Sequence, residues 1–226
     1  MSYTAHETDA CVTLEPSHTA TASVIWLHGL GADGYDFVPI VNELRLPPSV
    51  AVRFIFPHAR VRPVTINNGY EMRAWYDIKA LTRDAGEDDA GIRESAGVVR
   101  DYVAGEAARG IAARRIVIAG FSQGGAVALH TGLRYGEELA GVMALSTYLP
   151  LRNVFAAEAN AANRNTPILM CHGTQDTVVP PQLGELSRAL LSGLGYAIEW
   201  RTYPMPHSVC AEEVNDISTW LQARLK

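Results

Sequence analysis

Short apolar runs alternate with longer amphipathic stretches along this chain. Ser23-Val24-Ile25-Trp26-Leu27 reads as a strand, as do Val50 to Phe56, Ile116 to Ala119, Gly141 to Leu145, Ile168 to Cys171 and Ala197 to Tyr203. The runs are continuously apolar or nearly so, which is the pattern of strands covered on both faces. Helical spacing fills the gaps, at Tyr35 to Leu44, Gly91 to Arg109, Gly124 to Tyr135, Pro181 to Leu194 and Ala211 to Leu225. This alternation predicts an α/β fold with a mostly parallel central sheet flanked by helices. Residues 1–20 form an N-terminal arm, in which Val12 to Leu14 reads as an extra edge strand. No linker composition, internal repeat or low-complexity segment interrupts the pattern. At 226 residues the chain has enough for one well-buried domain and too few for two ordinary ones, so residues 1–226 read as a single domain.

Two stretches resist assignment. Pro57 to Asp77 carries Pro57, Pro63, Asn67, Asn68 and Gly69 before Trp75-Tyr76-Asp77, and Ser146 to Asn165 is mixed. Long loops in a compact domain are usually functional or disordered. Both of these leave the carboxyl side of a strand, where open α/β sheets bind ligands.

The chemistry centres on Gly120-Phe121-Ser122-Gln123-Gly124-Gly125. Gly-x-Ser-x-Gly alone is a weak pattern. Here it joins an apolar strand to an apolar helix, which is the setting of a nucleophile elbow. The sharp turn exposes the serine hydroxyl, and small residues on either side keep the strand and helix from clashing. The acid and base must then follow in that order. Asp176 lies in the loop His172 to Pro180, after the strand Ile168 to Cys171, and is the candidate acid. His207, between the last strand and the last helix, is the only one of seven histidines beyond Asp176 and is the candidate base. His28 and His172 are assigned to bracing their loops by hydrogen bonds.

Gly29-Leu30-Gly31-Ala32-Asp33-Gly34 matches a dinucleotide-binding G-x-G-x-x-G after a strand. That reading needs an acidic residue at the end of the next strand, which instead runs Arg53-Phe54-Ile55-Phe56-Pro57-His58. The loop fits better as half of an oxyanion hole, with Leu30 N–H as one donor and Gln123 N–H, after the nucleophile, as the other. Leu30, Trp75, Leu149, Val178 and Val179 are the candidate lining of an acyl-binding site. Trp75 has an equal reading as a buried scaffold residue.

Composition narrows the field. A net charge of −5 gives no basic field for nucleic acid. No apolar run reaches the length of a membrane span, so no stable membrane insertion is expected. Met1 to Pro16 has no basic start and apolar core of a secretion signal. Three cysteines, Cys11, Cys171 and Cys210, show neither paired nor metal-like spacing and fit a reducing cytoplasm. No H-E-x-x-H or similar spacing is present, so neither a metal nor any other cofactor is expected. A ligand-binding receptor with dead chemistry is the reading from another class. The complete Ser122, Asp176, His207 set argues against it.

Taken together, His28-Gly29-Leu30-Gly31-Ala32-Asp33-Gly34, Trp75-Tyr76-Asp77, Gly120 to Gly125, His172-Gly173-x-x-Asp176-x-Val178-Val179-Pro180 and Tyr203-x-x-Pro206-His207 resemble the phospholipase/carboxylesterase group, which includes bacterial carboxylesterases and acyl-protein thioesterases. The resemblance runs from about Thr21 to Leu225. It implies an α/β-hydrolase fold without a cap domain. It also implies hydrolysis of small-molecule carboxylic esters or thioesters with apolar acyl chains, and a homodimer in several members. The run Gly-Ala-Asp-Gly-Tyr-Asp-Phe after Leu30 looks closer to the bacterial esterases. The expected activity is therefore a serine carboxylesterase for short- to medium-chain esters, with acyl-protein thioesterase or lysophospholipase as the alternative.

Overall fold

The apolar runs become the middle of one large sheet. The computed structural model describes residues 2–79 and 86–226. Its strands are β1 (Tyr3–Glu7), β2 (Cys11–Pro16), β3 (Ala22–Leu27), β4 (Val52–Pro57), β5 (Val61–Val64), β6 (Tyr70–Arg73), β7 (Ile116–Phe121), β8 (Gly141–Leu145), β9 (Ile168–Gly173) and β10 (Ile198–Tyr203). Its helices are α1 (Ile40–Glu43), α2 (Asp89–Ala108), α3 (Gln123–Gly132), α4 (Arg152–Glu158), α5 (Pro181–Gly193) and α6 (Ala211–Arg224).

Eight strands form the sheet in the order β1-β2-β4-β3-β7-β8-β9-β10. From β4 to β10 every pair is parallel, while β1 and β2 run antiparallel at one edge. Alternate side chains of the central strands feed two apolar layers, because successive residues of a strand point to opposite faces. Ile25, Leu27, Ile116 and Ile118 pack with Ile92 and Val99 of α2, Leu129 of α3 and Leu191 of α5. Val24, Trp26, Val117 and Ala119 pack with Val41 of α1 and with Ile217 and Trp220 of α6. Each fully buried Ile or Leu contributes about 1.5–3 kcal/mol. This is an α/β-hydrolase arrangement, and among the described residues no segment forms a separate cap.

Several expectations need amending. The N-terminal arm forms two strands: β1 takes the edge, and β2, longer than the expected Val12 to Leu14, sits inside it against β4. The helix expected from Tyr35 shrinks to Ile40–Glu43, because Asp33 holds the preceding turn by accepting from Tyr35 N–H and Pro39 starts the helix instead. The unassigned stretch Pro57 to Asp77 contains the β5–β6 hairpin, separate from the large sheet. The second unassigned stretch contains α4 and a short 3₁₀ turn, Ala161–Asn163. Strand β10 is only partly covered, as suits its place at the other edge.

Candidate active site

Parallel strands end on the same side of the sheet, so the loops after β3, β7, β9 and β10 meet there. Ser122 follows β7 directly. Its backbone has φ 55° and ψ −120°, a conformation that costs a non-glycine residue roughly 1–3 kcal/mol. The surroundings hold it in place. Ser122 N–H donates to Leu145 O at 2.8 Å, at the end of neighbouring β8, and Thr147 Oγ1 donates to Ser122 O at 2.6 Å. Thr147 went unnoticed in the sequence, because its role depends on β8 lying beside β7.

The glycines of the elbow leave no room for anything larger. A Cβ on Gly124 would lie 2.5 Å from both Leu27 O and His28 O, and one on Gly120 would lie 2.3 Å from the Gly124 backbone. The loop after β3 therefore presses directly on the elbow. A Cβ on Gly29 would sit 3.5 Å from Ser122 Cβ. Gln123 opens α3, so its N–H is one of those at a helix start with no acceptor inside the helix. Leu30 is half-buried in the adjoining loop, and Gly31, at φ 78°, turns the chain just beyond it.

The candidate acid and base lie on the loops after the adjacent strands β9 and β10. Thr174 N–H donates to Tyr203 O and Gln175 N–H to Met205 O, which stitches the two loops together. A Cβ on Gly173 would lie 2.4 Å from Met205 O, so the approach is as close as glycine allows. Asp176, with its side chain fully buried, divides its two oxygens between two tasks. Oδ1 accepts from Val178 N–H (2.9 Å) and Val179 N–H (2.8 Å). Oδ2 lies 2.6 Å from His207 Nδ1. His207 is half-buried, its ring 4.6 Å from that of Phe121, the residue before Ser122. Among the described residues no hydrogen bond joins Ser122 Oγ to His207; such contacts are often long until substrate is bound.

His28 and His172 are buried, and burial lowers the pKa of both, to about 4 for His28. Neutral rings suit their hydrogen bonds: His28 Nε2 accepts from Ala59 N–H at 3.0 Å, and His172 Nε2 donates to Val179 O at 2.9 Å. His172 Nε2 also lies 3.5 Å from Asp176 Oδ2, the oxygen that faces His207.

The expected acyl-site residues do not behave alike. Val178 is 52% exposed, whereas Leu149 and Val179 are each 3% exposed and Trp75 is 2% exposed. Trp75 donates its indole N–H to His28 O at 2.9 Å and its backbone N–H to the Gln123 side chain at 2.8 Å. This burial supports the scaffold reading of Trp75 over its reading as an acyl-site wall. An open cleft of about 350 Å³ lies elsewhere, between α2 and β2, lined by Cys11, Thr13, Val98, Tyr102 and Glu106 among others. Among the described residues no cluster of three or more His, Cys, Asp or Glu side chains is placed to hold a metal ion.

A family model described as phospholipase/carboxylesterase matches residues 8–225. The chain belongs to this family. Acyl-protein thioesterase 1 of Gibberella zeae is 41% identical over 214 residues, covering 91% of each chain. Acyl-protein thioesterase 1 of Neurospora crassa is 44% identical over 214 residues, covering 91% of this chain and 87% of its own. Among solved structures, acyl-protein thioesterase 2 of Zea mays superposes with a TM-score of 0.86 at 29% identity, covering 96% of this chain and 99% of its own. With this family comes a serine hydrolase of the thioesterase/esterase kind. The names of these relatives favour the thioesterase alternative over the short-chain carboxylesterase.

Proposed function

We propose that this protein is an acyl-protein thioesterase that cleaves S-acyl cysteine through a serine acyl-enzyme. The observation that carries the chemistry is the 2.6 Å contact of Asp176 with His207 beside a serine held at φ 55°. His207 Nδ1–H faces Asp176, which leaves Nε2 as the base that takes the Ser122 proton while Oγ attacks the acyl carbonyl. The oxyanion is bound by Leu30 N–H and Gln123 N–H. His207 returns the proton to the leaving thiol, and water then releases the acid with His207 again as base. The thioester substrate is supported by the names of the two fungal relatives. Oxygen esters enter the same mechanism, and the family description favours them as a second reading. Three free cysteines support a reducing, cytoplasmic setting.

The test has two parts. Ser122→Ala should abolish turnover and fluorophosphonate labelling with an unchanged circular dichroism spectrum; retained activity sinks the serine mechanism. An acyl-chain series on peptide thioesters and matched oxygen esters then decides the substrate. A higher kcat/KM for thioesters supports the thioesterase, and the reverse supports the carboxylesterase.

A further inference from the structure

We infer that Trp75, together with the side-chain amide of Gln123, is a positioning element that fixes the distance between the two oxyanion donors. This rests on the serine-hydrolase reading above. The donors stand on separate segments, Leu30 in the loop after β3 and Gln123 at the start of α3. The last paired residues of those strands are Leu27 and Gly120, so the sheet no longer sets the separation at Leu30 and Gln123.

Contacts outside the sheet set it from both directions. The lower limit is steric: Gly124 meets the carbonyls of Leu27 and His28 with no space for a Cβ, so the loops cannot move closer. The upper limit is a bridge through Trp75. Its indole N–H donates to His28 O (2.9 Å), two residues before Leu30. Its backbone N–H donates to Gln123 Oε1 (2.8 Å), and Gln123 Nε2 donates onward to Tyr76 O (2.7 Å). One residue thus ties both arms of the oxyanion hole. The bridge is anchored in turn, since Ser95 Oγ of α2 donates to Trp75 O and Gly31 N–H donates to Arg73 O (2.9 Å). His28, Trp75 and Gln123 are each at most 2% exposed, so water does not compete for these bonds.

An oxyanion donor works only within a few tenths of an ångström of its ideal distance, and it acts on the transition state rather than on bound substrate. Trp75→Phe removes the indole N–H and keeps an aromatic ring. Gln123→Met removes both amide bonds and keeps the backbone N–H. Each is expected to lower kcat by about 10- to 100-fold with KM changed less than about threefold. Inhibition by an alkyl trifluoromethyl ketone, which forms an oxyanion on the serine, should weaken in proportion. The double variant should lose little more than the worse single one, because both cut the same bridge.

The inference is overturned if a folded variant keeps kcat within about twofold, or if kcat falls while ketone affinity does not. Should Trp75→Phe fail to fold, Gln123→Met decides alone. Only variant-to-wild-type ratios enter, so failure here is distinct from failure of the serine mechanism, which Ser122→Ala reports.

Discussion

Asp176 Oδ2 faces His207 Nδ1 at 2.6 Å while Oδ1 is fully engaged by the N–H groups of Val178 and Val179. The loop therefore hangs on one oxygen and the proposed base on the other. Asp176→Asn keeps the first set of bonds and places an amide against the ring nitrogen, which favours the wrong histidine tautomer. Activity on p-nitrophenyl acetate should fall by about three to four orders of magnitude with a melting temperature close to wild type. A loss below about tenfold would assign the acid to another carboxylate.

Gly124→Ala tests the packing beneath the proposed nucleophile. The new methyl group would lie 2.5 Å from two carbonyl oxygens, Leu27 O at the end of β3 and His28 O just beyond it, and backbone cannot rotate away as a flexible side chain can. Overpacking typically costs about 1–3 kcal/mol, and rigid backbone neighbours place this site at or above the upper end. Thermal unfolding should show a large drop in melting temperature. Gly136→Ala is the control, since a Cβ there meets nothing within 4 Å. Equal stability of the two variants would contradict the close approach.

The sequence foretold strands wherever burial alone makes a strand. Val117, Ile118 and Ala119 are fully buried, and an apolar run is the direct sign of that. It did not foretell β1, where only Tyr3 packs, against the edge of the Phe54 ring, and the other four residues are exposed. Such a strand is held by backbone pairing, which leaves no hydrophobic signature. The β5–β6 hairpin was hidden for a similar reason: Asp77 accepts from Thr65 N–H and Oγ1, a polar contact across twelve positions. In the candidate site, the placement of Ser122, Asp176 and His207 at strand ends, with Asp176 against His207, is legible from chain order. The roles of Thr147 and the Gln123 amide are not, because their contacts exist only once β8 lies beside β7 and Trp75 closes over α3.

Glu106 offers a stability test remote from the chemistry. It is 1% exposed near the end of α2 and accepts from Arg53 Nη1 at 2.8 Å, Arg109 Nη1 at 3.0 Å and Ser23 Oγ. Arg109 is largely exposed and adds little, so the pair with Arg53 dominates. Among the described residues, Glu106→Ala leaves Arg53 paired with Glu15 alone. Breaking a buried pair by removing one partner costs about 3 kcal/mol, or roughly 6–12 °C in a chain of this size. Ser23 and Arg53 lie at the starts of β3 and β4, away from Ser122, so kcat at room temperature should be unchanged. A variant as stable as wild type would show that the pair contributes nothing net.

Glu213, in α6 and outside the candidate site, gives stability a pH dependence of its own. It is completely buried in the first turn of α6, and among the described residues neither carboxyl oxygen meets a hydrogen-bond partner, although Cys171 and the Cys210 backbone are among its polar neighbours. Burial raises its pKa to about 8, with a smaller push from Asp216. The folded protein therefore keeps this carboxyl neutral at pH 7, whereas the unfolded chain ionises it near pH 4.5. The stabilisation is complete below about pH 4.5, declines as pH rises, and is gone above about pH 8. Glu213→Gln cannot ionise and lacks this term. Its melting temperature relative to wild type should climb between about pH 5 and about pH 8, by an amount on the order of 3 kcal/mol of stability. Calorimetry at both pH values reads that difference directly, and parallel curves for the two proteins would mean that Glu213 is already ionised in the folded state.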